Sequence, residues 1–187
     1  MSAARRLFSR NGYGATTLAA IAAEAEVAVQ TVYATFGTKR AILSALIDSM
    51  EAQAELSRLL ECLRSTTDAV KQLALIVSFN RRLWERSIDV LNVARGATAV
   101  ESDLADLHRE GEARRRSGQA PLVKGWKRAG ALKPGLERTK AADILWALTG
   151  PDVYHLLVVG SGWSKKRYES WLNETLKQAL FGSGSLY

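Results

Sequence analysis

Cysteine occurs once, at Cys62, and histidine twice, at His108 and His155. One thiol makes no intramolecular disulfide, and one thiol with two imidazoles is too little for a structural metal cluster. Cys62 lies in a helical apolar pattern and reads as buried and inert. No stretch approaches the run of about 18 apolar residues that a membrane span needs. The start, MSAARRLF, has neither a long apolar segment nor a small-residue cleavage site, so a cytoplasmic protein without a secretory signal is expected. Glycine-rich phosphate loops, histidines paired at metal spacing and serine or cysteine nucleophile motifs are missing, which leaves no enzyme, metal or cofactor to expect. Strand-like alternation is scarce as well.

What remains is helical. Apolar residues recur at helical spacing almost throughout the 187 residues, and the 47% hydrophobic fraction is enough for a real core. The spacing predicts an all-α chain. Ala3, Ala4, Leu7 and Phe8 make one face of a first helix that stops near Asn11-Gly12. Leu18, Ile21, Ala22 and Ala25 make a second, capped by Thr16 or Thr17. Val32, Tyr33 and Phe36 make a third, closed by Gly37 with Thr38 capping the next. Leu43, Leu46, Ile47 and Met50 begin a fourth that is expected to run to about Leu63. A fifth carries Val70 to about Arg86, and a short one covers Asp89–Thr98. Another begins near Ser102-Asp103, with a kink or a break expected at Gly118 and Pro121 before it ends at Gly130. After the Lys133-Pro134-Gly135 loop, an eighth starts at Thr139 and is kinked at Gly150-Pro151. Ser164 caps the last helix, and the final GSGSLY is a tail. The predicted division is 1–45, 46–182 and a flexible 183–187.

Charge is uneven. The formal net is +7, which favours acidic partners such as nucleic acid. Residues 1–45 hold five Lys/Arg against two Asp/Glu, and residues 111–140 hold nine against two. The second basic zone suits a solvated face, an anionic ligand or flanking DNA.

Two short helices joined by a tight turn, with a third before them, match a helix-turn-helix, whose second helix enters the major groove. That geometry accounts for the small, neutral residues of VAVQTVYATF. A helix lying deep in the groove carries little bulk, and Ala28, Val29, Ala34 and Thr35 are small. The Gln30 amide suits adenine, and Val29 or Ala34 suits a thymine methyl. Thr17, Thr31, Tyr33, Thr35 and Lys39 suit phosphate oxygens. An ordinary three-helix subdomain satisfies the same pattern.

The segment AARRLFSRNGYGATTLAAIAAEAEVAVQTVYATFGTKRAILSAL, Ala3 to Leu46, resembles the N-terminal domain of the tetracycline-repressor (TetR) family. Ala4, Leu7, Phe8, Gly12, Tyr13, Thr16, Thr17, Ile21, Ala22, Val27, Thr31, Tyr33, Phe36 and Lys39 carry the likeness. The resemblance implies a homodimer on operator double-stranded DNA, released by a small molecule held in the larger C-terminal domain. It implies base contacts at Val29, Gln30, Ala34 and Ala19, and phosphate contacts at Thr17, Thr31, Tyr33, Thr35 and Lys39. Three departures stand out. Glu26 occupies a turn position where the family commonly has glycine. Thr35 replaces a frequent histidine, and Thr38-Lys39-Arg40 replaces serine-lysine-glutamate. The first helix also lacks the extra turn that normally precedes this segment.

The last two helices of that family form a four-helix dimer bundle. Here Tyr168, Trp171, Leu172, Thr175, Leu176 and Ala179 make one wide stripe, with Leu145, Leu148 and Leu156 as partners; the same stripe serves equally as monomer core. The resemblance implies a pocket among helices four to seven, for which Phe79, Trp84, Trp126 and Trp146 are available aromatics and His108, Arg82 and Asn80 polar options. A helical dimeric sensor that has lost strong DNA binding is the alternative, supported by the short first helix and Glu26.

Overall fold

The computed structural model describes residues 1–53, 55–98 and 103–181, and among them all regular structure is helical. The helices are α1 (Ser2–Ala15), α2 (Leu18–Glu24), α3 (Val29–Phe36), α4 (Lys39–Gln53), α5 (Leu56–Arg64), α6 (Ala69–Thr98), α7 (Asp103–Arg128), α8 (Arg138–Leu148), α9 (Pro151–Tyr154) and α10 (Lys165–Leu180). A π-helical turn, His155–Gly160, follows α9. The all-α expectation holds. The 183–187 tail lies outside the described residues.

The chain packs as two compact units. The first is Met1–Gln53 with Arg86–Gly111; the second is Ala54–Glu85 with Glu112–Tyr187. Leu46 and Met50 of α4 are buried together with the head, as are Val90 and Ala97 of α6 and Leu104 and Leu107 of α7. In this unit Phe8, Leu43, Leu46, Val90 and Val93 line one narrow crevice.

Four helix expectations change. The single helix expected to reach Leu63 is two, α4 and α5, with Glu55 at a left-handed φ of 63° between them. Good helix formers run through this stretch, so local propensity does not mark the break. The two helices serve different units: Leu43 and Leu46 are buried in the first, while Leu59 and Leu63 are half-buried in the second. The fifth helix and the short Asp89–Thr98 helix are one, α6. Its buried stripe runs Leu73, Ile76, Val77, Asn80, Leu83, Trp84, Ser87 and Val90 without a gap. Asn80 and Ser87 are polar members of a buried face, and polarity there mimics a helix end. Third, α7 continues through Gly118 and Pro121. Proline forgoes one backbone bond, but Gln119, Val123 and Trp126, at i, i+4 and i+7, are buried along one face and hold both flanks. Fourth, the chain after Pro151 winds into a π-turn, which no sequence pattern marked.

Several local expectations match. Thr17 Oγ1 accepts the Ala20 N–H at 3.1 Å, and Ser164 Oγ accepts the Arg167 N–H at 3.2 Å, so both cap their helices. Gly12, at φ 78° and ψ 165°, breaks the regular path of α1. In an unbroken helix Phe8 and Tyr13 would point about 140° apart. The break returns Tyr13 to the core, its ring 5.3 Å from that of Phe8. Within the first unit Arg5 forks onto Asp89, Nε to Oδ2 at 2.8 Å and Nη2 to Oδ1 at 2.7 Å, tying α1 to α6. Burial raises the Asp89 carboxyl, but the hydrogen bond and charge of Arg5 outweigh it and hold the group below the usual carboxylate range. Both side chains are about a third exposed, so water screens the pair and its contribution is about 1 kcal/mol.

Candidate nucleic-acid interface

Helix α3 has an inward stripe and an outward field. Val32 is its buried residue, flanked one turn away by half-buried Val29 and Phe36. Everything between points out: Gln30, Thr31, Tyr33, Ala34 and Thr35 are exposed. Tyr33, placed by its spacing on the apolar face with Val32 and Phe36, is 55% exposed, so its ring as well as its hydroxyl stands off the surface. Phe36, expected in the core, is half-buried. No charged side chain lies between Val29 and Phe36, so the outward field is small, neutral and hydrogen-bonding.

The turn before α3 has a defined mechanism. The Val27 N–H donates to the Ala22 carbonyl at 3.0 Å and the Glu26 N–H to the Ala23 carbonyl at 3.1 Å. This is a Schellman closure of α2, and it places Glu26 at its left-handed position, φ 54°. A side chain there crowds the following carbonyl, which glycine avoids. Glu26→Gly is expected to stabilise the protein by about 1 kcal/mol, measured as a higher midpoint in urea. A lower midpoint would mean that the Glu26 side chain earns its place through some contact.

Other predicted phosphate ligands are placed more variably. Thr17 is exposed and uses its oxygen as the cap acceptor, leaving its own proton to donate. Thr31 is exposed, and Ala19 presents its methyl group from α2. Thr35 donates its hydroxyl proton back to the Thr31 carbonyl at 2.8 Å, so in this rotamer it offers no donor outward. Lys39 turns inward: Nζ donates to the Tyr13 carbonyl at 2.9 Å and lies 4.2 Å above the Tyr13 ring. The neighbouring Arg40 is exposed. It stands beside the Thr38 cap, whose Oγ1 accepts the Ala41 N–H at 3.1 Å.

Residues 1–46 match the model of the bacterial regulatory proteins, tetR family. The N-terminal segment is thus similar to the DNA-binding domain of that family. Three solved structures share the fold over nearly the whole chain. A protein of Syntrophomonas wolfei assigned to the TetR family superposes with a TM-score of 0.80 at 17% identity, covering 95% of this chain and 90% of that one. The transcriptional regulator FadR of Bacillus subtilis, in complex with stearoyl-CoA, gives 0.72 at 20%, covering 98% and 97%. NalD, the secondary repressor of the MexAB-OprM multidrug efflux pump in Pseudomonas aeruginosa, gives 0.75 at 20%, covering 98% and 94%. Among curated proteins none matches the chain.

The residues expected at a dimer interface lie in the second unit. Leu145, Tyr168, Leu172 and Leu176 are fully buried within the single chain. They build its own core and have no area left for a partner. Leu148, Trp171, Thr175 and Ala179 are half-buried, and Leu156 is 64% exposed. Val159 is 51% exposed on the same π-turn. Of the pocket candidates, Phe79, Trp84 and Trp126 are buried. The Trp84 indole N–H donates to the Thr149 carbonyl at 2.9 Å and that of Trp126 to Gln72 Oε1 at 2.7 Å, so both polar handles are used internally. Trp146 is half-buried, with the Arg115 and Arg116 guanidinium carbons 5.2 and 5.3 Å from its ring. Asn80 donates to its own helix, at the Ile76 carbonyl. Arg82 donates to Ser78 Oγ at 2.8 Å. The His108 side chain lies outside the described residues. In the basic zone Arg116 pairs with Asp143, Arg115 with Glu112, and Lys127 donates to the Leu136 carbonyl. Cys62 is half-buried rather than buried. Among the described residues no group of three His, Cys, Asp or Glu could hold a metal ion, and no helix is long and apolar enough to cross a membrane.

Proposed function

We propose that this chain is a DNA-binding transcription regulator whose second unit binds a small molecule that releases the DNA. One observation carries the reading: within a tetR-family segment, α3 is anchored by Val32 and presents a neutral outward field of Gln30, Thr31, Tyr33 and Ala34. Such a surface is poor for solubility and good for a groove. Gln30, Val29, Ala34 and Ala19 are the base contacts of this proposal, and Thr17, Thr31, Tyr33, Arg40 and the N–H groups opening α4 its phosphate contacts. Lys39 and Thr35 join them only by changing rotamer.

A homodimer fits the same reading, because two short recognition helices one DNA turn apart double the contacts. Leu156 and Val159, with half-buried Leu148, Trp171, Thr175 and Ala179, are the apolar area available for it in the second unit. The ligand site is proposed in the same unit, with Phe79, Trp84 and Trp146 as its walls. A cytoplasmic location follows from action on the genome.

Titration of the full chain with a fragment from upstream of its own gene, over a salt series, tests this. Expected is binding far tighter than to random DNA, with log Kd changing by about 0.9 per neutralised phosphate for each decade of salt. Few cations line the proposed face, so the slope should be modest and the specific-to-random ratio large. Equal affinity for both fragments would favour a dimeric sensor without DNA reading, the alternative that Glu26 and the inward Lys39 support.

A further inference from the structure

Arg115 and Gln119 lie four residues apart on one face of α7, and both reach Thr149 at the end of α8. Gln119 Nε2 donates to Thr149 Oγ1 at 3.0 Å, and Arg115 Nη1 donates to the same oxygen at 3.3 Å. Arg115 Nη1 also donates to the Trp146 carbonyl at 2.6 Å, and Nη2 to Glu112 Oε2 at 2.6 Å. Thr149 passes its own proton to the Leu145 carbonyl at 2.7 Å. This knot clamps α7 to α8, and Trp84 adds α6 through the Thr149 carbonyl.

The clamp leaves polar groups over. Gln119 Oε1, Arg115 Nε, Trp146 Nε1 and the Tyr168 hydroxyl are all buried without a partner among the described residues. Gln119 is 8% exposed and Tyr168 fully buried. Tyr168 enters from α10, its ring 5.1 Å from that of Tyr154. Burial pushes the Tyr168 phenol up, against a smaller downward pull from the Arg115 charge, so it remains a proton donor. A clamp alone needs none of this: phenylalanine at 168 would fill the same space without an orphaned hydroxyl. Buried polar groups are ordinarily satisfied, and several exceptions on adjoining helices call for an explanation.

We propose that Arg115, Gln119 and Tyr168 form the polar end of the effector site, taking a small uncharged organic molecule through an amide-type group. This rests on the reading of the second unit as ligand-binding. The chemistry sets the class. The orphaned donors, Arg115 Nε–H and Tyr168 O–H, suit a carbonyl oxygen, and the orphaned acceptor, Gln119 Oε1, suits an N–H beside it. Glu112 already balances the Arg115 charge, so a carboxylate is not required. Trp146 supplies an adjoining flat wall.

The test uses the full chain and a panel in which each alkyl or aryl skeleton comes as amide, carboxylate and hydrocarbon, for example benzamide, benzoate and toluene. Tryptophan fluorescence and melting temperature report binding. Amides are expected to bind at least about tenfold more tightly than their hydrocarbons, one hydrogen-bonded buried polar group being worth that much. Tyr168→Phe is expected to melt about 2–4 °C higher without ligand, having lost an orphaned hydroxyl, and to bind the amides about tenfold more weakly. Hydrocarbons binding as tightly as amides, no binding by any member, or amide affinity unchanged in Tyr168→Phe each overturns the inference. The same panel added to the DNA complex separates the two readings. DNA release that ignores the amide group sinks this site and leaves the regulator. Tyr168-dependent amide binding by a protein that does not hold DNA sinks the regulator and leaves the site.

Discussion

Combining Gln30→Ala with Tyr33→Ala is expected to weaken binding to the specific DNA fragment by about 100-fold, at an unchanged melting temperature. A bidentate amide–adenine contact contributes about 1–3 kcal/mol of discrimination, and an exposed aromatic hydroxyl on phosphate adds to it, so about 2.7 kcal/mol together is a moderate sum. Stability should hold because neither side chain is in the core. Gln30 is exposed, Tyr33 is 55% exposed, and Val32 is what seats α3. Surface substitutions of this kind stay within about 0.5 kcal/mol. Fluorescence anisotropy at one fixed salt concentration, with random DNA in parallel, checks the claim. Random-DNA affinity should fall less, since it does not use the Gln30 amide. An equal loss on both fragments would show that the pair contributes only to backbone contacts. A loss of melting temperature would show that α3 is seated differently.

Trp126→Ala is expected to destabilise the chain by about 3–5 kcal/mol, the range for removing a large buried aromatic. Trp126 is 2% exposed and stacks edge-on against Phe181 at 5.2 Å. Its indole N–H bonds Gln72, whose own amide donates to the Thr66 carbonyl at 2.8 Å. Removing the ring therefore leaves a cavity and an orphaned acceptor where α7 meets the start of α6. Against a total stability of about 5–15 kcal/mol, that is a large share. Urea denaturation measures it, and Trp126→Phe should recover part of the loss by refilling volume. A small effect on stability, with altered ligand response, would return Trp126 to the role its sequence position suggested, a pocket wall rather than core.

Helix identity and caps were readable because they are local. Thr17 and Ser164 cap as their spacing demands, whereas Glu26 stood out only through the resemblance, as a turn position where that family commonly has glycine. The inward stripe of α3 was read only in part: the period gave Val32 and Phe36, but it put Tyr33 with them where the structure has Val29. Breaks were less readable. Nothing between Leu43 and Leu63 marks Glu55 as a hinge, and Asn80 and Ser87 look like interruptions although α6 buries them. Pro121 looked like a kink or a break, but one lost backbone bond weighs little beside the buried Gln119, Val123 and Trp126.

By itself, the order of residues determined that this protein is all-helical, that its first 46 residues have the tetR-family pattern, and which side chains of α3 are free to face a groove. Those properties depend on neighbours within about four residues. Only the tertiary structure decided what covers each apolar stripe. It assigned Leu145, Tyr168, Leu172 and Leu176 to the chain's own core, turned Lys39 onto Tyr13, and gathered Arg115, Gln119 and Thr149 into one buried knot. Periodicity states that a face is apolar or polar; whether a core, a partner or a ligand meets it depends on residues distant in sequence.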